Sequence, residues 1–257
     1  MRMVLSAPGT RPERAGSNAP MSFFGTTPPP EALEPATPGE GREFPLEGEE
    51  LVVLRAPAAQ SAEQFRRLRN SLLALNPDGA ARSILITSAL ENEGKSVAAI
   101  NLALALVEVS NLRVCLVDGD RLNPSIERYM GHPRRLGLTE LLQEEIGIDQ
   151  AIRQTALEHL DLIGAGASSL NPALDLERLQ ALLNALKRRY DYVLLDGPAV
   201  LSTNHPSLIG SVVDGILLVV RIGATPKGLV EEAYQMLEGL GGNVLGTCAT
   251  AADGPVA

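Results

Sequence analysis

Residues 88–96 read SALENEGKS. They follow an apolar run, SILITS (83–88), and open a helix-like stretch from about Lys95 to Val109. A turn between a strand and a helix N-terminus is the setting that phosphate binding requires. The first backbone N–H groups of a helix have no partner within it, and the helix carries roughly half a positive charge at that end. Both favour an anion. Gly94 would let the backbone approach closely, Lys95 would reach the outer phosphates, and Ser96 would offer a hydroxyl to Mg²⁺. The chain has three lysines, Lys95, Lys187 and Lys227, and the other nineteen of its twenty-two basic residues are arginine. A chain so biased toward arginine still has a lysine where a compact ammonium matters. Ala89 stands where such a loop usually begins with glycine, and Glu91 and Glu93 place negative charge near the anion site. The competing reading is a helix N-cap at an acidic turn.

Three carboxylates bear on the choice. VDGD ends one apolar run with Asp118 and Asp120, and LLDGP ends another with Asp196. In an open parallel sheet, ligands bind at the carboxyl ends of the strands. Carboxylates beside a phosphate loop suit Mg²⁺, a hard cation that prefers oxygen and keeps several waters. One of them could also accept a proton from an attacking hydroxyl. The expected nucleotide set is Ala89, Asn92, Glu93, Gly94, Lys95, Ser96 and Val97, with ATP or ADP and Mg²⁺ as ligands.

The elements that must position these groups are legible as alternation. Apolar strands at 83–88, 113–120, 191–198, 214–221 and 243–250 alternate with helical patterns. HLDLIGAG reads as a further strand, and GLTELLQEE and DQAIRQT read as short helices. This predicts an α/β fold with a mostly parallel sheet covered by helices on both faces. SAEQFRRLRNSLLAL predicts an outer helix, with Ser61 as N-cap and Gln64 completing a capping box. Cys115 and Cys248 read as buried thiols, and Tyr190 and Tyr192 as structural.

Residues 1–50 read as a disordered, Pro-rich acidic tail, with the domain at 51–257. They hold nine of the eighteen prolines. Ordering them would cost on the order of 50–100 kcal/mol of backbone entropy, more than their few large apolar side chains can offset. Phe23 and Phe24 form a candidate docking pair in that tail. The net charge of −9 argues against nucleic acid as the main partner. No apolar run reaches the length of a membrane span, and the start lacks a signal-peptide core. The expectation is a cytoplasmic protein.

Over roughly residues 60–250 the sequence resembles the bacterial tyrosine kinases of capsule and exopolysaccharide synthesis, which belong to the deviant-Walker P-loop ATPases. SILITSALENEGKSVAAINLA is similar to their Walker A region, VCLVDGDRLNPSIER to their second Walker motif, and YDYVLLDGPAV to Walker B. GLTELL and Asn171-Pro172 fit the connecting segment, and VDGILLVVRIGAT and NVLGTCAT fit the final strands. EQFRRLR matches the family's self-association motif through Glu63, Arg66 and Arg69, which implies a homo-oligomer. The resemblance implies that Lys95 and Ser96 hold phosphates and Mg²⁺, that Asp118 and Asp196 orient the metal, and that Asp120 is the base for a tyrosine hydroxyl. It also implies a tyrosine-containing protein substrate. The implied partner is the cytoplasmic segment of a membrane polysaccharide co-polymerase, which would recruit the chain to the inner face of the plasma membrane.

Several positions depart from that pattern. No tyrosine follows Tyr234, Arg121 comes one place early, Glu91-Asn92 replaces Pro-Gly, and Asn204 and Thr250 stand where Asp and Asn are usual. The sequence thus allows an active kinase or a nucleotide-binding regulatory partner with little kinase activity. Leu90, where septum- and chromosome-positioning ATPases carry a second lysine, disfavours a third reading as one of those.

Overall fold

A computed structural model describes residues 33–35, 42, 44–46, 48–167 and 174–250. Most of the expected tail, including Phe23 and Phe24, lies outside the described residues, as do Asn171, Pro172 and residues 251–257. Along the chain run α1 (Val52–Arg55), α2 (Gln60–Ala74), β1 (Arg82–Ser88), α3 (Lys95–Val107), β2 (Val114–Asp118), α4 (Ile126–Tyr129), α5 (Leu138–Leu142) and α6 (Ile148–Ala151). Then follow β3 (Arg153–Gln154), β4 (Leu160–Ile163), α7 (Leu176–Lys187), β5 (Tyr192–Asp196), α8 (His205–Gly210), β6 (Gly215–Arg221), α9 (Lys227–Gly239) and β7 (Val244–Thr250).

The strands form one sheet in the order β3-β4-β2-β5-β1-β6-β7. Every pairing is parallel except β3 with β4. Successive strand residues point to opposite faces, and here both faces of the central strands are covered, so their middle positions are apolar and their polar residues, such as Ser83, Ser88, Asp118 and Asp196, fall toward the ends. Ile84, Ile86, Leu116 and Leu194 face the side packed by α2 and α3. Leu85, Cys115, Val117, Val193 and Leu195 face the side packed by α7 and α9. Helix α3 is buried almost all round because α2 lies over its outer surface. The register sets Asp118 directly opposite Asp196, so two of the expected site carboxylates end adjacent strands side by side.

Four local expectations are corrected. Helix α2 starts at Gln60, with Ala59 as an N-cap that has no side-chain bond, so Ser61 caps nothing. The start is fixed instead by Arg66, whose Nη1 donates to the Pro57 carbonyl at 2.7 Å. The DQAIRQT stretch is helical only through Ala151; Arg153 and Gln154 pair antiparallel with β4. That change of direction buries the Arg153 guanidinium against Glu127. Helix α3 ends at Val107, not Val109. Cys115 is buried as expected, but Cys248 on the edge strand β7 is only half-buried. Tyr190 and Tyr192 are buried and structural: the Tyr190 hydroxyl donates to Asp161 at 2.7 Å, and the Tyr192 oxygen accepts from Asn76. Within the stretch read as tail, Leu46 is buried, the Phe44 ring lies 5.2 Å from that of His132, and the Glu50 carbonyl accepts from Asn101. Contacts with the domain therefore begin upstream of Leu51.

Asp214 joins three elements. Its carboxylate accepts from the Ser83 N–H at 2.7 Å, the Ser83 hydroxyl at 2.8 Å and the Lys187 ammonium at 2.9 Å. Partial burial pushes the carboxyl up, but these partners outweigh it and hold it below the usual range. A depressed carboxyl stabilises the fold fully above its unfolded value, near 3.8, and that contribution is lost as pH falls through the folded value. Asp214→Asn should cost about 1–2 kcal/mol in urea denaturation at pH 7. The gap from wild type should narrow progressively as the pH falls below 3.8; a gap independent of pH would refute this account.

Candidate functional site

The loop between β1 and α3 is built from its own polar groups. The Ser88 hydroxyl donates to the Leu90 carbonyl at 2.6 Å, and the Leu90 N–H donates to Glu93 at 2.8 Å. Asn92 and Gly94 both have left-handed backbones, with φ of +61° and +89°. A Cβ on Gly94 would make only ordinary contact with Thr250, so glycine is required there by conformation rather than by space. The first intrahelical bond of α3 runs from the Ala98 N–H to the Gly94 carbonyl. The amides of Lys95, Ser96 and Val97 precede it and are available to a ligand.

These residues line a cavity of about 470 Å³ together with Glu91, Asn92, Asn123, Arg128 and Tyr129. Asp118, Asp120 and Asp196 lie below it, each fully buried. Gly119 allows this because a Cβ there would come within 2.8 Å of the Asp196 carbonyl. Asp118 fixes the loop after β2: it accepts from the N–H groups of Asp120, Ser125 and Ile126 at 3.2, 2.9 and 3.0 Å. Burial raises its carboxyl to about 7 despite those bonds. Asp120 accepts from the Asn123 N–H at 2.9 Å and forms an ion pair with Lys95 at 3.2 Å. The Lys95 ammonium also bonds Glu91 at 3.0 Å. Burial acts to lower Lys95, but Asp196, Asp120 and Glu91 outweigh it and raise its pKa. Burial raises Asp196 well above the usual carboxylate range, and Asp118 adds to that; the Ser96 hydroxyl and Lys95 oppose it.

The structure therefore gathers Asn92, Gly94, Lys95, Ser96, Val97, Asp118, Asp120 and Asp196 around one cavity and its floor. It separates others. Ala89 is buried in the apolar layer behind the loop. Glu93 is buried and turned to the loop's own scaffold, accepting from the N–H of Leu90 and the Thr225 hydroxyl. The two loop glutamates thus have different roles, which the sequence does not separate: Glu93 braces the turn, and Glu91 faces the lysine. Glu63, Arg66 and Arg69 lie on α2 and none of them lines this cavity. Arg66 makes a bidentate pair with Glu108, at 2.8 and 2.7 Å, and Arg69 reaches the same carboxylate at 3.2 Å. Asn123, Arg128 and His205 were passed over in the sequence. His205 is partly buried, its imidazole pKa lowered by that burial and by Arg121.

Magnesium fits this site as a companion of phosphate rather than as a resident ion. Among the described residues no cluster of three His, Cys, Asp or Glu side chains is placed to hold a metal alone. Both Asp196 oxygens are nevertheless buried without a hydrogen bond, and Asp120 Oδ2 has its ion pair with Lys95 but no hydrogen bond. Buried carboxyl oxygens in that condition suit a cation, which would favour their ionised form, retain water and take other oxygens from a nucleotide.

A family model described as an AAA domain matches residues 82–224. The tyrosine-protein kinase YwqD of Bacillus subtilis (strain 168) is 29% identical over 198 residues, which cover 76% of this chain and 83% of the relative. The succinoglycan biosynthesis transport protein ExoP of Rhizobium meliloti (strain 1021) is 30% identical over 200 residues, 76% of this chain but 25% of that protein. Among solved structures, the kinase domain of the Escherichia coli tyrosine kinase ETK superposes with a TM-score of 0.73 at 26% identity, covering 80% of this chain and 83% of that one. The phosphate loop, the parallel sheet and the paired strand-end carboxylates are thus found in a chain that belongs to the AAA-domain family of P-loop proteins and is similar to bacterial tyrosine-protein kinases.

Proposed function

We propose that this chain is a Mg-ATP-dependent protein tyrosine kinase and ATPase that regulates exopolysaccharide or capsule synthesis. In this reading it acts with the cytoplasmic segment of a membrane co-polymerase that completes its site. The observation that carries the reading is the Lys95 ammonium at the mouth of α3, with Asp120 at 3.2 Å and the Asp196 carboxyl beneath. The amides of Lys95, Ser96 and Val97 bind the phosphates. Ser96 and Asp196 would hold Mg²⁺, with Asp118 fixing the loop beside them. The metal neutralises and orients the phosphate oxygens when bound. Lys95 stabilises charge on the transferred group, and Asp120 accepts the tyrosine hydroxyl proton. Phosphoryl transfer depends mainly on such positioning and charge.

The second reading, a regulatory partner with little kinase activity, is favoured by the tyrosines. Tyr190 and Tyr192 are buried, which leaves the half-buried Tyr129 and the exposed Tyr234 as acceptors among the described residues. The test is incubation with Mg-ATP and the cytoplasmic segment of the co-polymerase, with phosphotyrosine read by mass spectrometry. Phosphotyrosine that disappears in Lys95→Met establishes the kinase. No transfer despite nucleotide and adaptor binding establishes the regulatory reading.

Homo-oligomerisation through Glu63, Arg66 and Arg69 belongs to the same proposal. Glu108 already engages both arginines within the chain, so an interface through this face would have to share or exchange those pairs. Arg66→Ala with Arg69→Ala should lower the mass seen by light scattering while the circular dichroism spectrum is kept. An unchanged mass with a lower melting temperature would reduce the motif to an internal clamp between α2 and α3.

A further inference from the structure

The Glu91 side chain stands where an incoming phosphate would be needed. Its Oε2 lies 3.0 Å from Lys95 Nζ, and its Oε1 is 3.4 Å from the Ala199 N–H on the loop after β5. The lysine side chain is 8% exposed and the glutamate 32% exposed, so the contact lies at the cavity rim with one partner inside and the other able to swing out. Asp120 occupies a second side of the ammonium at 3.2 Å. An ammonium has three donors. With one directed at Glu91 and the charge also paired with Asp120, Lys95 cannot make its full set of bonds to phosphate until a carboxylate leaves. Asp120 is fully buried and held by the Asn123 N–H. Glu91 is the one that can move.

We propose that Glu91 is a built-in stand-in for phosphate, which the outer phosphates of the nucleotide must expel, so that this residue sets the nucleotide affinity of the loop. The proposal rests on the nucleotide-binding reading of the site and deepens it. Glu93, two residues on, does not share the role because its carboxylate is tied to Leu90 and Thr225. Expulsion also breaks the contact with Ala199, so occupancy of the phosphate loop is transmitted to the segment that follows Asp196.

The test is Mg-ADP titration by calorimetry of the full chain and of two variants, with melting curves to confirm that each is folded. Glu91→Gln keeps the size of the side chain and its acceptor for Ala199 but removes the charge; its Kd should fall about tenfold, or 1.4 kcal/mol. Glu91→Asp keeps the charge on a side chain one methylene shorter, which cannot span from the rim to both partners. It should bind more tightly than wild type as well. Equal affinity in Glu91→Gln and wild type overturns the proposal and leaves the nucleotide site standing. A tighter Glu91→Gln with an Asp variant equal to wild type also overturns it, because the effect would then be general charge rather than contact. Folded proteins that all fail to bind Mg-ADP overturn the proposal and the nucleotide-binding reading together.

Discussion

Lys95→Met should weaken Mg-ADP binding by at least a hundredfold and take phosphate transfer below detection, with the fold retained. Methionine matches the length and apolar stem of lysine and fills the same narrow space, where the side chain is 8% exposed. It therefore removes charge and little packing. Losing one partner of a buried hydrogen-bonded charge pair typically costs about 2–5 kcal/mol in binding. The loss here should lie toward the upper end for two reasons. The lysine is the group aimed at the phosphates, and without it Glu91 and Asp120 present uncompensated negative charge to an anionic ligand. Asp196 should also become harder to ionise, since Lys95 opposes the upward push of burial on its carboxyl. A variant that binds Mg-ADP within threefold of wild type would remove Lys95 from the site.

The second large effect is on stability. Arg153 and Glu127 form a buried ion pair, with side chains 2% and 4% exposed. Arg153 also donates to the Pro133 carbonyl at 2.7 Å, and Glu127 accepts from the Arg135 N–H at 3.2 Å. Gly164 leaves the room: a Cβ there would lie 2.5 Å from both the guanidinium and the carboxyl. Arg153→Met leaves the buried carboxylate without its shortest charge partner, with Arg134 remaining at 4.0 Å, which costs about 3–5 kcal/mol. For a domain of this size the melting temperature should fall on the order of 10 °C. Adding Glu127→Leu should recover most of the loss, because an apolar pair of similar volume often replaces a buried ion pair without penalty. A single variant melting within 2 °C of wild type would sink the account. Glu127 lies on α4, whose first N–H groups are held by Asp118, so nucleotide affinity should weaken along with stability.

The main frame of the site was legible in the sequence for a physical reason. Strands buried on both faces have to be apolar throughout, so the polar residues that end them stand out, and Asp118, Asp120 and Asp196 could be read at the carboxyl edge. Lys95 and Ser96 were legible because a glycine before a helix start has a backbone meaning. What could not be read is set by partners far along the chain. Glu108 is 42 residues from Arg66 and fixes that side chain. Thr225 is 132 residues from Glu93 and decides that this glutamate braces the loop while Glu91 faces Lys95. Ser61 and Gln64 fit a capping box locally, yet the N-cap lies two residues earlier at Ala59, where Arg66 reaches back to Pro57. Strand β3 was hidden because two residues carry no periodicity, and only burial of Arg153 against Glu127 explains the turn out of the helix.

The strand order has a consequence for how the protein is made. β1 leads into the phosphate loop, but its neighbours in the sheet are β5 and β6, and the Ser83 amide waits for an acceptor 131 residues downstream. A ribosome therefore releases α3, apolar on nearly every face, long before the strands that flank β1 exist. Pairings this distant are slow to form, and apolar surface that waits for them is open to aggregation. The lysine and serine of the loop are synthesised early, while the carboxylate floor beneath them arrives only with β5. A nascent chain halted before β5 would carry the entire loop sequence and still lack Asp196, so the site cannot form until β5 has been made and has paired with β1 and β2.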